Sequence, residues 1–343
     1  MKFSKVLALG AFAAFVAACS ESPTVTQPIS PNAVDAAANG SFDFGMENAG
    51  KIKIHPTRQA AMLRQANNQA GPPILYHSCA LCRVLPSPKV VAIYWGTSTI
   101  YAGGPAPGTT GAGTADGSVV GQFLRTIGGT PFWSINNEYT DLLGFRVANS
   151  LGYTKFYANN SAPPAAPTNA QIQAMIEGLF TSGALTFDQQ TIYSVITGSG
   201  VNLGGGFGSQ YCAYHGYFPW TGHPGKYIIY AAMPYDAQFV GACTAVNTPA
   251  TNSPNGDFAA DASINVFSHE LEEASTDPGL NAWFDAFGSE NADKCAWTFT
   301  PTFTAPNGST ANVTFAAKNY LIQRNWRIGA VPPPASQFGC SLS

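Results

Sequence analysis

Between Ser263 and Pro278 the chain reads Ser-Ile-Asn-Val-Phe-Ser-His-Glu-Leu-Glu-Glu-Ala-Ser-Thr-Asp-Pro. Only 10 % of the 343 residues are charged, yet Glu270, Glu272, Glu273 and Asp277 crowd into this run beside His269, one of five histidines. Helical residues four apart share a face, so His269 and Glu273 project together with Glu270 beside them. This is the spacing of the H-E-x-x-H zinc helix, with Glu in place of the second His. In that motif the outer residues bind metal and the Glu between them polarises a metal-bound water. His269 and Glu273 are therefore expected as zinc ligands and Glu270 as the catalytic base. A Glu ligand is anionic; it weakens the Lewis acidity of the metal and suits harder ions too. A solvated face or a capping cluster would produce the same string.

Further candidates lie on both sides of this helix. In gluzincin metallopeptidases a third ligand, a Glu, arrives from a later helix, and an Asp shortly after it buttresses a His. Glu290 stands at a suitable distance downstream and is the expected third ligand, with Asp293 following it. The competing reading pairs Glu290 with Lys294. Asp277 is a weaker ligand candidate, since an Asp before Pro278 also fits a helix N-cap with Pro in the first turn. His215 is an alternative ligand or a transition-state donor, although its neighbours Tyr214 and Tyr217 also fit a core or cleft lining; His77 is a similar, lesser candidate. No Gly-x-Ser-x-Gly elbow is present to support Ser-His-Asp catalysis.

The N-terminus places this chemistry outside the cytoplasm. Met1 to Lys5 is a short basic region, and Val6 to Val16 is an apolar run too short to span a bilayer. Val16-Ala17-Ala18-Cys19 has the small residues of a lipobox, so cleavage before Cys19 and lipidation of that Cys are expected. Ser20, rather than Asp, follows it and fits sorting to the outer membrane or cell surface. Of seven cysteines, removing Cys19 leaves Cys79, Cys82, Cys212, Cys243, Cys295 and Cys340. An even number in an oxidising compartment fits structural disulfides. Cys295–Cys340 and Cys212–Cys243 are the pairings expected from shared regions, and Cys79-Ala80-Leu81-Cys82 reads as a local bridge or a redox pair. The formal net charge is −3 and no basic run occurs, which argues against a nucleic-acid partner. The Gly-rich loop from Gly198 to Gly208 lacks the Lys-Ser/Thr of a phosphate loop, which argues against a nucleotide.

The elements that must position these residues alternate between strand and helix. Residues 1–19 form the signal peptide, 20–70 read as a Pro/Ala/Asn/Gln-rich tether, and 71–343 as one globular domain. Lys89 to Gly96 is a continuous β-branched run, the mark of a central strand. Ser118 to Ile127 reads as a helix, Phe132 to Leu143 as another, and Asn169 as the cap of a third with Ile172, Met175, Ile176, Leu179 and Phe180 as its stripe. Strands are expected at Thr191 to Thr197, Gln210 to Phe218 and Lys226 to Pro234, and two closing strands near Asn312 to Ala316 and Tyr320 to Trp326. The hydrophobic fraction of 45 % is enough for a large core. The fold class is α/β: a mixed sheet flanked by helices, with a zincin-like metal helix near the C-terminal third.

His269-Glu270-Leu271-Glu272-Glu273, Thr276-Asp277-Pro278, Asn281-Ala282-Trp283-Phe284 and Glu290…Asp293-Lys294-Cys295 together resemble the exordium, or phosphate-induced protein 1, family. Tyr76-His77 before the strand ending in Trp95, Cys212 to Gly216, and Asn319 to Gln323 with Trp326 before a final Cys agree in order. The likeness covers about Ile74 to Cys340. It implies a secreted, wall- or matrix-associated protein, linked in plants to growth responses. The Cys79/Cys82 pair, Glu272 where small residues are usual, and the lipobox depart from the pattern. Two expectations follow. One is a lipid-anchored zinc hydrolase, a peptidase acting on peptide. The other is a non-enzymatic surface protein whose aromatics, 12 % of the chain, bind cell-wall polysaccharide or a protein partner.

Overall fold

Lys89–Trp95 and Thr191–Thr197 are both runs of β-branched and aromatic residues, and both are almost wholly buried. A strand buried on both faces belongs in the middle of a sheet, and that is where the computed structural model places them. It describes residues 52–67, 72–203, 206–245, 253–329 and 339–343. Seven strands form the main sheet: β1 (Ile52–Pro56), β2 (Lys89–Trp95), β3 (Thr110–Ala112), β4 (Gly152–Asn159), β5 (Thr191–Thr197), β6 (Tyr211–Pro219) and β7 (Tyr227–Met233), in the order β1-β6-β7-β5-β2-β4-β3. The central four, β7-β5-β2-β4, run parallel. β6 and β1 extend one edge antiparallel, and β3 closes the other. The class is mixed α/β, as the alternation of elements predicts.

Helices cover the sheet: α1 (Arg58–Asn67), α2 (Val119–Thr126), α3 (Asn169–Thr181), the single turn α4 (Val240–Cys243) and α5 (Phe258–Thr276). Ser118 caps α2 by accepting from the Gly121 N–H. α3 is capped by Thr168 rather than Asn169. Thr168 and Gln171 form a reciprocal capping box that satisfies two orphan donors, whereas the Asn169 side chain accepts from the Tyr230 hydroxyl. Phe132 to Leu143 is not one helix: a 3-10 segment covers only Trp133–Glu138, and Tyr139 leaves it in an extended conformation. Short two-stranded pairs complete the chain. Leu75–Tyr76 pairs with Trp283–Phe284, Val313–Phe315 with Lys318–Tyr320, and Asn325–Arg327 with Gly339–Ser341.

Residues 52–67 lie within the segment read as tether, yet they are folded. β1 adds an edge strand with Lys53 opposite His215 and His55 opposite Ala213, and α1 follows it. A five-residue strand carrying one Lys and one His has too little periodicity to be told from linker; pairing with β6 supplies what the local sequence lacks. The disulfides join Cys212 to Cys243, Cys295 to Cys340 and Cys79 to Cys82. The second of these ties the C-terminal pair to the segment that follows Glu290. The signal peptide, the lipobox with Cys19, and most of the tether lie outside the described residues.

Candidate metal centre

α5 begins at Asp257, whose side chain accepts from the Ala260 N–H, and is buried from Ala260 to Thr276. It packs against β6, β7 and α2. Ile264, Val266, Phe267, Leu271 and Ala274 join the main core. The remaining positions carry Asn265, Ser268, His269, Glu270, Glu272 and Glu273 into the interior at no more than 0 % exposure. Burying ionisable groups is costly unless they are paired, protonated or bound to metal. The packing of this helix therefore depends on what these side chains meet.

They meet β1, β6 and the segment after α5. Cross-strand partners share a face, so Lys53, His55 and His215 all point toward α5. His215 Nδ1 lies 2.8 Å from Glu270 Oε2 and 3.7 Å from Glu273 Oε2, and its Nε2 lies 3.7 Å from Glu290 Oε2. His269 Nε2 is 3.1 Å from Glu273 Oε1 and 3.8 Å from Asp293 Oδ1. Glu273 Oε1 also accepts from the Asp293 N–H at 2.9 Å. Among the described residues, no hydrogen bond reaches Glu273 Oε2 or His215 Nε2, and the Glu290 carboxyl has only the Asp277 carboxyl as a side-chain hydrogen-bond partner.

Of three groups of metal-type donors among the described residues, one contains the disulfide-bonded Cys212 and Cys243 with Asp236, and the other two share Glu273. His215, Glu273 and Glu290 form one; His269, Glu273 and Asp293 form the other. In each, one nitrogen or oxygen per residue lies within 4.8 Å of the others. The expected set of His269, Glu273 and Glu290 is thus divided between the two, and His215 stands with Glu290. The 3.7 Å separation of His215 and Glu290 is too long for a hydrogen bond. It is close to the roughly 3.3–3.6 Å between two donors held about 2.0–2.2 Å from one tetrahedral zinc. Glu270 faces His215, and the His55 N–H also donates to it. This is the carboxylate–histidine pairing that orients a metal-bound imidazole.

The electrostatics follow from burial without solvent. Burial, then Glu273, push the Glu290 carboxyl well above the usual carboxylate range, with Lys53 opposing. Glu270 is raised by burial and by Glu273. Burial works to raise Glu273 too, but His269, His215 and the Asp293 N–H outweigh it and hold that carboxyl below its usual range. His215 is pushed down to about 4 by burial, against the pull of Glu273. Burial works to lower His269, but Glu273 and Asp293 outweigh it and hold that imidazole above its usual range. The anionic Glu273 thus lies between it and the raised carboxyls of Glu270 and Glu290, which a divalent cation would allow to ionise as well.

The remaining candidates have other partners. Lys294 pairs with Asp285 at 3.0 Å and donates to the Pro72 carbonyl, so it is not the partner of Glu290. Asp277 is not an N-cap: it closes α5, and its Oδ1 accepts from the N–H groups of Asn281 and Ala282 at 2.7 Å each. The two-strand pair at Trp283 that follows leaves no helix for it to cap. His77 stacks on Phe284 with ring centroids 3.6 Å apart, away from the Glu273 groups. Sequence reasoning missed His55, Lys53 and Gln323. His55 and Lys53 are invisible because the strand carrying them reads as linker. Gln323 is a single amide in a closing segment, with no spacing to mark it.

A family model described as the phosphate-induced protein 1 conserved region matches residues 129–319, more than half of the 343-residue chain. The chain belongs to the phosphate-induced protein 1 family. It is 28 % identical over 239 residues to Protein EXORDIUM-like 3 of Arabidopsis thaliana, which covers 61 % of this chain and 68 % of that protein. No solved structure matches. Within this phosphate-induced protein 1 chain, the matched segment carries His215, His269, Glu270, Glu273, Glu290 and Asp293. Lys53, His55 and Gln323, which complete the walls of the site, lie outside it.

Proposed function

We propose that this protein is an extracytoplasmic, lipid-anchored member of the family that binds one divalent metal ion, with zinc the first candidate, around Glu273. The observation that carries this is the set of buried donors: Glu273 Oε2 and His215 Nε2 are fully buried, mutually close and without hydrogen bonds among the described residues, and the Glu290 carboxyl that completes the group meets no donor there beyond the Asp277 carboxyl. Buried polar atoms are otherwise almost always paired. Two carboxylates and an imidazole match zinc or a slightly harder ion. Three protein donors with a fourth position free is the catalytic arrangement, and an ion so held lowers the pKa of a bound water to about 7. On this reading α5 is a zincin-like metal helix and the protein is a zinc-dependent hydrolase of the peptidase type. Glu270 contributes by orienting His215, with its second oxygen left to face the site.

The test is the metal content of the purified chain after incubation with zinc and removal of excess. One retained ion per chain is expected; none at any pH from 6 to 8 would overturn the reading. The lipobox supports the anchor. Cys19→Ala is expected to release the protein from the membrane fraction and to abolish incorporation of labelled fatty acid, and an unchanged membrane pool would count against it.

A second reading has its own support. His215, His269, Glu270, Glu273 and Glu290 all show 0 % exposure, so no substrate reaches the ion in this conformation. The ion is then structural, and the protein is a non-enzymatic surface component binding polysaccharide or a protein partner. A peptide-library screen of the zinc-loaded chain separates the two: cleavage lost on chelation favours the hydrolase, and no cleavage despite a full site favours the structural ion.

A further inference from the structure

Of the three site histidines, His269 and His215 are held by different partners, and those partners dictate where each ring keeps its proton, while His55 Nε2 lies 3.3 Å from Gln323 Oε1. Gln323 contacts His269 through its Nε2, 3.0 Å from His269 Nδ1. Two backbone groups fix which way this amide faces. Its Nε2 donates to the Ala292 carbonyl at 2.8 Å, and its Oε1 accepts from the Trp297 N–H at 3.3 Å. Turning the amide over would set oxygen against carbonyl oxygen and N–H against N–H. Trp297 sits at a positive φ of 61°, and its N–H points at Gln323 Oε1. The Gln323 backbone is itself tied to α5 by Asn265 Oδ1, which accepts from its N–H at 2.6 Å.

With an N–H pointed at it, His269 Nδ1 must be the acceptor, so a neutral His269 carries its hydrogen on Nε2. That hydrogen faces Glu273 Oε1 at 3.1 Å. His215 has the opposite arrangement. Its Nδ1 faces a carboxylate oxygen at 2.8 Å, and its Nε2 faces Glu290. We propose that His215 is the only imidazole ligand of the ion, and that His269, locked by Gln323 as the Nε2–H tautomer, is a positioning residue that holds Glu273 by one oxygen. The inference rests on the metal-ion reading and deepens it by assigning the ligand set: His215 Nε2, Glu273 Oε2 and Glu290. It also gives each Glu273 oxygen a separate task. Oε1 receives the His269 and Asp293 N–H groups, and Oε2 is left for the ion. The i, i+4 pair on α5, which by spacing looks like two ligands, is one ligand and the donor that orients it.

The test is nitrogen NMR of the full chain labelled with 15N-histidine, recorded without metal and then with one equivalent of zinc. His269 is expected to show a protonated Nε2 and a bare Nδ1 in both spectra, while His215 Nε2 shifts on zinc addition. His269→Gln, which keeps a donor near Glu273, is expected to weaken zinc binding by about 10–100-fold, as loss of an orienting partner does. His215→Ala is expected to retain none. A His269 Nε2 that is bare without metal or shifts with zinc overturns the assignment, as does complete loss of zinc in His269→Gln with the fold intact. If no ring shifts with zinc, the metal-ion reading falls instead, and the metal-free spectrum still decides which nitrogen of His269 is protonated.

Discussion

Glu290→Gln is expected to do two opposite things: reduce retained zinc to less than a tenth of an ion per chain, and stabilise the metal-free protein at pH 8. The first effect follows from removing an anionic donor from a three-residue ligand set, where a neutral amide oxygen is a poor substitute for zinc. The second follows from burial. Glu290 is fully buried and lies beside the anionic Glu273 and the Asp277 carboxyl, both of which raise it. In the metal-free chain it must either stay protonated at a cost that grows with pH or ionise against a like charge. The isosteric amide removes that cost, and a gain on the order of 1–3 kcal/mol is expected in urea unfolding at pH 8. A carboxylate cluster that serves only as scaffold predicts the reverse: lost stability and no change in metal. Measuring zinc content and metal-free stability on one preparation distinguishes the two, and a variant that binds zinc normally while unfolding more easily would remove Glu290 from the site.

The sheet was legible in the sequence wherever a strand is buried on both faces. Lys89–Trp95 and Thr191–Thr197 declare themselves by composition, because a central parallel strand has no polar face to break the run. β1 was not legible. An edge strand of five residues draws its stability from pairing with Tyr211–Pro219, a partner more than 150 residues away, and nothing local records that. The 3-10 segment at Trp133–Glu138 failed for a related reason. Its apolar spacing fits a longer helix, but Tyr139 is withdrawn into the smaller core with Trp283 and Val147, and this tertiary demand ends the turn early.

The site was half legible. Helical periodicity placed His269, Glu270 and Glu273 on one buried helix, since that geometry depends only on local spacing. Spacing does not show which face meets which strand. Glu270 turns to His215, so the residue read as base is engaged with an imidazole from the sheet. Nor does spacing reveal a tautomer: the hydrogen on His269 is decided by Gln323, 54 positions away, and by the Trp297 N–H that points at Gln323. The HExxE pattern identified where ionisable groups gather, and the tertiary hydrogen bonds decide which of them has a lone pair to give.

The metal-free chain is expected to lose stability as pH rises above about 6.5, and zinc is expected to reverse that trend. Folded-state carboxyls at Glu270, Glu272, Glu290 and Asp236 are all raised, first of all by burial. Such groups hold a proton that the unfolded chain releases near pH 4, so their contribution favours the fold at low pH and declines as pH climbs toward their folded values. His215, lowered to about 4 by burial, works the other way: the unfolded chain protonates it below about 6.5, so its contribution is present above that pH and is lost as pH falls toward 4. Between about pH 4.5 and 6.5 the two trends oppose each other. Above 6.5 the carboxyl trend is joined by His269, where burial is outweighed by Glu273 and the imidazole is held above its usual range, so that its contribution is likewise lost as pH rises. Each extra proton held by the fold costs about 1.4 kcal/mol per pH unit. Asp236→Asn removes one such contribution outside the proposed ligand set, together with the smaller push that its charge gives Glu270. Both Asp236 oxygens lack hydrogen bonds among the described residues, and desolvation alone raises its carboxyl. The variant should match the parent chain near pH 5 and exceed it at pH 8, giving a shallower decline in urea midpoints. Zinc, by requiring ionised Glu273 and Glu290, should stabilise more strongly at pH 8 than at pH 6. A metal-free chain whose stability rises from pH 6.5 to 8.5 would show that these carboxyls ionise freely in the fold, and with that the case for a cation among them would fail.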